Sequence, residues 1–142
     1  VSAYSISDLE YRTYVGGVIG FMGEGSIAMT NLTSNIDVIG STCDVGGITG
    51  IAHYGNSFVN CTSSGNVSIT NATLDSDGIQ IGGIAGVWMN HKDGTVTLEN
   101  CSFTGTLHTN LEVDISGNTL VGPKYDPDSD DGELIITPNT TP

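Results

Sequence analysis

The sequence predicts an all-β fold, a parallel β-helix or β-solenoid of about three repeats with three short strands in each; a β-sandwich is the second architecture it allows. Three observations lead there. The composition favours strands and turns, a V-G-G motif returns along the chain, and a second motif centred on Asn returns in step with it.

The composition comes first because it bounds the rest. Of 142 residues, 37% are hydrophobic, enough for a packed core, and 20 Gly with 4 Pro and no Gly-X-Y period exclude collagen. Val, Ile, Thr, Ser, Asn and Gly outweigh the strong helix formers, which suits pleated strands joined by tight turns. Sixteen Asp plus Glu face only Arg12, Lys92 and Lys124, a formal net charge of −13. Such a field repels phosphate, so nucleic acid is not an expected partner. No apolar run reaches the roughly 18 residues of a membrane helix, so membrane insertion is not expected either. The chain opens on Val1 and reads as a piece of a longer multidomain protein.

The repeats come next. VGGVIGF from Val15 returns as VGGITGI from Val45, as IGGIAGV from Ile81 and, truncated, as VGPKY from Val121. The second motif runs in phase as Asn31-Leu32-Thr33, Asn60-Cys61-Thr62 and Asn100-Cys101-Ser102. Alternating stretches come after it, NIDVI from Asn35, GNVSI from Gly65 and GTLHT from Gly105, with the period of a strand. Since one repeat cannot bury its own apolar residues, like positions are predicted to sit over like. The predicted ladders are Val15, Val45, Ile81 and Val121; Leu32, Cys61 and Cys101; and Ile36, Val67 and Leu107. Stacked Asn31, Asn60 and Asn100 are predicted to hydrogen-bond from one repeat to the next.

This divides the chain into an N-terminal cap over residues 1–14, a repeat region over 15–123 (repeats 15–44, 45–80 and 81–120), and an acidic connector over 124–142. Within the connector, ELIIT from Glu133 is either a last strand of the repeats or the first strand of the next part of the parent protein. Thr70 to Gly78 and Met89 to Gly94 are the variable connections between strands.

The pattern V-G-G-[VI]-x-G with a later N-C-[TS]-x-x-G-[NT]-[VL] resembles the GLUG-type repeat, over roughly Val15 to Pro123. The copy from Val45 through Ile69 is the closest, while the first copy carries Leu32 in place of Cys and a junction to its third strand that reads as two residues shorter. That resemblance implies a bacterial secreted or surface-displayed, adhesin-like protein, an extracellular location and an accessory role. It supplies no catalytic residues.

Candidate chemistry is sparse. Carboxylates at Asp37, Asp44, Asp75, Asp77, Asp93, Glu99, Glu112 and Asp114 lack a basic residue at a matching repeat position, so a β-helix lyase or hydrolase site is not expected. His53, His91 and His108 read as solvated rather than metal-binding, and no cofactor is expected. Asp126, Asp128 and Asp130 alternate as in a calcium loop, but Asp131 falls where the Gly of such a loop belongs and Thr137 where its Glu belongs. They remain candidates for calcium alone. Three cysteines, Cys43, Cys61 and Cys101, form no C-x-x-C pair and leave at least one thiol unpaired; Cys61 and Cys101, at the same repeat position, read as buried free thiols. Six N-x-S/T triplets begin at Asn31, Asn60, Asn66, Asn71, Asn100 and Asn139; three of them are the repeat marker itself. Phe21, Tyr54 and Trp88, at similar offsets from their repeat starts, are the candidates for contact with a host, matrix or glycan ligand. The expected function is a non-catalytic structural or adhesive module; the alternative is a glycan-binding or glycan-cleaving β-helix.

Overall fold

The chain is all-β with parallel sheets, in a computed structural model that describes residues 2–4, 13–41, 44–72, 79–89, 94–126 and 129–138. The strands are β1 (Ser2–Tyr4), β2 (Tyr14–Gly16), β3 (Ile19–Phe21), β4 (Ala28–Thr30), β5 (Thr33–Ser34) and β6 (Val38–Ser41). Next come β7 (Asp44–Gly46), β8 (Thr49–Ala52), β9 (Ser57–Val59), β10 (Thr62–Ser63) and β11 (Val67–Ile69). The third set is β12 (Ile81–Gly82), β13 (Ala85–Trp88), β14 (Thr95–Glu99), β15 (Ser102–Phe103) and β16 (Leu107–Thr109), and β17 (Glu133–Thr137) closes the series. They form five sheets, ordered β1-β6-β11-β16, β12-β7-β2, β13-β8-β3, β17-β14-β9-β4 and β15-β10-β5. In every sheet the neighbours are strands one repeat apart, paired in parallel.

Among the described residues each repeat therefore holds five strands where the sequence predicts three. The reason lies at two corners. After β2, β7 and β12 the chain bends at the second glycine of the V-G-G motif. A Cβ on Gly16, Gly46 or Gly82, the first glycine, would lie 2.1, 1.9 or 2.0 Å from the carbonyl oxygen three residues on. The second corner is the Asn of the other motif. Asn31, Asn60 and Asn100 hold φ of 54°, 54° and 50°, the left-handed region that Asn tolerates better than other side chains. That residue separates β4, β9 and β14 from the two-residue strands after them.

Val15, Val45 and Ile81 pair in register, as predicted. Leu32, Cys61 and Cys101 also succeed one another, since the Leu32 carbonyl accepts from Thr62 N–H and the Cys61 carbonyl from Ser102 N–H. Two ladder members differ. Val121 pairs with Ala85 rather than Ile81, and Lys124 with Trp88. The truncated copy thus matches the later Ala-Gly of its predecessor, where Gly122 meets Gly86 so closely that a Cβ on Gly122 would lie 1.8 Å from the Gly86 oxygen. Similarly Val38, not Ile36, pairs with Val67. Ile36 stands over Gly65 and is exposed, and the interval from Thr33 to Val38 equals that from Thr62 to Val67, so the first junction is not shortened.

Two apolar clusters fill the interior. One joins Met22, Ile48, Ala52, Phe58, Cys61, Ile84, Val96 and Leu98; the other joins Val15, Val38, Val45, Val67, Ile69, Ile79 and Ile81. Between them the walls nearly touch. Gly17 faces Ser34, Gly47 faces Ser63 and Gly83 faces Phe103, leaving no room for a side chain on the glycines. The Ser34 and Ser63 hydroxyls lie buried there without a hydrogen-bond partner.

At the ends, Ser2–Tyr4, within the expected cap, pair in parallel with Ile39–Ser41, and residues 5–12 lie outside the described residues. Glu133–Thr137 form a strand beside β14, paired along its whole length. No helix among the described residues is long and apolar enough to cross a membrane.

Candidate functional site

The richest side-chain grouping lies where β3 and β8 lead into their turns. Phe21, half exposed at the end of β3, has its ring 5.3 Å from Tyr14 and 5.3 Å from His53. His53 in turn lies 6.2 Å from Tyr54, edge on. These distances suit offset and edge-to-face ring contacts. Four rings from two repeats thus form a continuous run.

The turn under that run is built by Asn56. Asn56 N–H donates to the His53 carbonyl at 3.0 Å, and Gly55 supplies the positive φ, 84°, that a turn of this kind needs at its third residue. The buried Asn56 side chain accepts from His53 N–H at 2.9 Å and donates to the Gly23 and Gly25 carbonyls, both at 3.0 Å. One amide therefore clamps two successive turns. Asn56 is not among the residues singled out from the sequence, although an Asn directly after Tyr-Gly is a recognisable turn signal.

The electrostatics are local. Tyr54 donates its hydroxyl to the Glu24 carboxylate, and that hydrogen bond holds its pKa above the usual tyrosine value. Burial pushes the His53 pKa down, with Glu24 pulling weakly the other way, and its Nδ1 is buried without a partner. Burial thus favours the neutral imidazole of His53, whose ring packs edge-on against Phe21 and Tyr54.

Trp88 does not join this run. It sits in the register position after Val87, which is the partner of Ile51, itself the partner of Phe21. Consecutive strand residues face opposite ways, so a one-residue offset separates the two rings. Trp88 packs partly buried against the first cluster, and Lys124 Nζ lies 5.7 Å over its ring, a cation–π contact. Lys124 also donates to the Ser129 carbonyl and so fastens the acidic connector to the repeats.

The remaining candidates are dispersed. Asp126 and Asp130 are exposed, Asp128 lies outside the described residues, and among the described residues no group of three or more His, Cys, Asp and Glu side chains is placed to hold a metal ion. His91, Asp75, Asp77 and Asp93 lie outside the described residues, as does Cys43. His108 is exposed and bonded to Thr106 at 2.8 Å, away from His53. Cys61 is buried and free, and Cys101 is half-buried and free, its pKa raised chiefly by burial. Their thiols reach the Met29 and Phe58 carbonyls at 3.4 Å, one repeat back in each case.

Most of the ordered polar chemistry is instead spent between repeats. Asn60 Nδ2 donates to Asn31 Oδ1 at 3.0 Å and Asn100 Nδ2 to Asn60 Oδ1 at 2.6 Å, the predicted asparagine ladder. A second ladder goes beyond the sequence expectation: Asn66 N–H donates to Asp37 Oδ1 at 2.8 Å, and Thr106 donates to Asn66 Oδ1 through its N–H and its hydroxyl. Its signal is the polar residue preceding each alternating strand. No protein-family model, curated protein or solved structure matches this chain.

Proposed function

We propose that the chain is a short parallel β-solenoid acting as a non-catalytic, stiff structural or adhesive module of a bacterial secreted or surface-displayed protein, of the kind the GLUG-type resemblance implies. The observation that carries this reading is the in-register parallel pairing of Val15, Val45 and Ile81, accompanied by the ladder of Asn31, Asn60 and Asn100. Pairing of that kind favours a solenoid over a β-sandwich, whose sheets are typically antiparallel. Polar groups spent on joining repeats favour rigidity over catalysis, and the scattered carboxylates point the same way. A ligand, of host, matrix or glycan origin, would then be met by the variable connections.

The test is to insert extra copies of residues 45–80. Three added repeats are expected to lengthen the particle by about 14 Å in solution scattering, since each level adds about 4.8 Å, with the cross-section unchanged. A thicker particle, or loss of the β signal in circular dichroism, overturns the reading.

A glycan-binding surface is the second reading, favoured by the run of Tyr14, Phe21, His53 and Tyr54 beside Glu24. Aromatic faces next to a carboxylate suit a sugar's C–H face and hydroxyls. Binding on a glycan array that is lost in Tyr54→Ala supports it; an array without binders removes it.

A further inference from the structure

Cys61 and Cys101 stand at the same place in two successive repeats, each directly after the asparagine of its corner and directly before a two-residue strand. The register on either side of them is fixed. Val59 pairs with Glu99 and Thr62 with Ser102, and the Cys61 carbonyl accepts from Ser102 N–H at 3.0 Å. Neighbouring strands lie about 4.8 Å apart, inside the range of about 4.4 to 6.8 Å that a disulfide spans between Cα atoms.

The two side chains hold the same attitude. Cys61 Sγ donates to the carbonyls of Met29 at 3.4 Å and Val59 at 3.5 Å, and Cys101 Sγ to those of Phe58 at 3.4 Å and Glu99 at 3.5 Å. Met29 pairs with Phe58 and Val59 with Glu99, so one thiol repeats the other a single level further on. Both face the same apolar cluster, Cys61 within it and Cys101 packed against it. The thiols also feel each other. Burial is the first cause of the raised Cys101 pKa, and the Cys61 thiol adds to it through charge and a hydrogen bond, while the Cys61 backbone works against it. A thiol is a weak hydrogen-bond donor, so turning one sulfur from its carbonyl toward the other costs little. Leu32 fills the equivalent place in the first repeat and offers no sulfur, which leaves Cys101 as the partner of Cys61 in this column.

We propose that Cys61 and Cys101 are a redox-closed pair, joined by a disulfide between the second and third repeats when a small-molecule disulfide such as glutathione disulfide supplies the oxidant. One cysteine thiolate attacks a sulfur of glutathione disulfide, forming a mixed disulfide and releasing one glutathione thiolate. The other cysteine thiolate then attacks the protein sulfur of that mixed disulfide; its bond to glutathione breaks and a second glutathione leaves. Both cysteines are oxidised, one glutathione disulfide is reduced to two glutathiones, and the two thiol protons pass to the released glutathiones. The new bond encloses residues 62–100 and adds a covalent tie to the hydrogen bonds and packing between the two repeats. It stabilises the fold chiefly by restricting the unfolded chain. This pairing rests on the two thiols alone and not on the location or role proposed above.

Refolding the reduced full chain in a mildly alkaline buffer of glutathione and glutathione disulfide tests this, because every thiol meets the oxidant before the fold closes. Remaining free thiols are then alkylated and the chain is cut with trypsin after Arg12, Lys92 and Lys124, its only basic residues, which places Cys61 on residues 13–92 and Cys101 on 93–124. The two peptides are expected to stay joined, with the bond mapped by fragmentation to Cys61 and Cys101 of one chain. Cys43 lies closer to Cys61 along the sequence than Cys101 does, and a shorter loop closes at a smaller entropic cost. Oxidation in urea is therefore expected to favour Cys43–Cys61, and refolding to reverse that preference. The oxidised chain is expected to unfold at a higher urea midpoint than the reduced chain. If the unfolded chain does not regain its circular dichroism, the native chain is oxidised in the same buffer over several days and read by the same outcomes. Cys61 and Cys101 recovered alkylated or as glutathione adducts in the folded chain, a bond through Cys43, a bond between two chains, or a midpoint no higher than that of the reduced chain overturns the proposal.

Discussion

Gly47 and Ser63 meet so closely that a Cβ built on the glycine would lie 2.2 Å from the serine hydroxyl oxygen and 2.2 Å from the Gly83 carbonyl oxygen. Opposite walls of the molecule touch there, and the two apolar clusters are held apart. Neither obstacle can move cheaply, because one is backbone and the other is wholly buried. Gly47→Ala is expected to cost about 3 kcal/mol, the upper part of the usual overpacking range. Urea denaturation reads this as a lower midpoint at unchanged slope.

Asn60 carries two roles that substitution separates. Its φ of 54° penalises most side chains, and its amide bonds to Asn31 and Asn100. Asn60→Ala loses both the backbone fit and the ladder, an expected cost of about 2 kcal/mol. Asn60→Gly keeps the backbone fit and is expected to cost about half as much. Equal losses in the two variants would show that one of the roles contributes nothing.

Val38 and Ile36 lie two residues apart and have opposite surroundings. Val38 is fully buried beside Val67, whereas Ile36 is 41% exposed. Val38→Ala is expected to destabilise the fold by about 2 kcal/mol, and Ile36→Ala by about 0.5 kcal/mol or less. Thermal or chemical denaturation of the pair checks the register directly, since a two-residue slip would reverse the order.

Burial holds the His53 pKa below its usual 6.5. The unfolded chain therefore takes up the proton first as pH falls, so in the window below about 6.5 stability decreases with acidity. Stability is expected to fall between pH 7 and pH 5, and His53→Gln is expected to flatten that fall. Glu24 opposes the shift, so Glu24→Gln is expected to steepen it. Denaturation midpoints across the pH series check both slopes.

Much of the plan is legible in the residues themselves. The V-G-G and N-x-[ST] markers return in phase because each performs the same corner in every repeat, and corners are local: glycine where backbone crowds, asparagine where φ turns positive. The strand content, the pairing of Val15 with Val45 and Ile81, and the asparagine ladder all stem from that recurrence. The offsets in the sequence group Phe21 and Tyr54 with Trp88, whereas the rings that meet in the structure are Tyr14, Phe21, His53 and Tyr54.

Only the tertiary structure decided which residue stands over which, and which are left uncovered. Val121 rests on Ala85, and Val38 rather than Ile36 meets Val67, because hydrogen bonds between repeats select the register and several slips keep an apolar residue in place. Trp88 falls out of the aromatic run by a single residue for the same reason. Exposure of apolar residues arises in the same way. Val18 and Ile48 occupy equivalent positions, but one is half exposed and the other fully buried, since burial here is conferred by the neighbouring repeat and not by the residue's own stretch of chain.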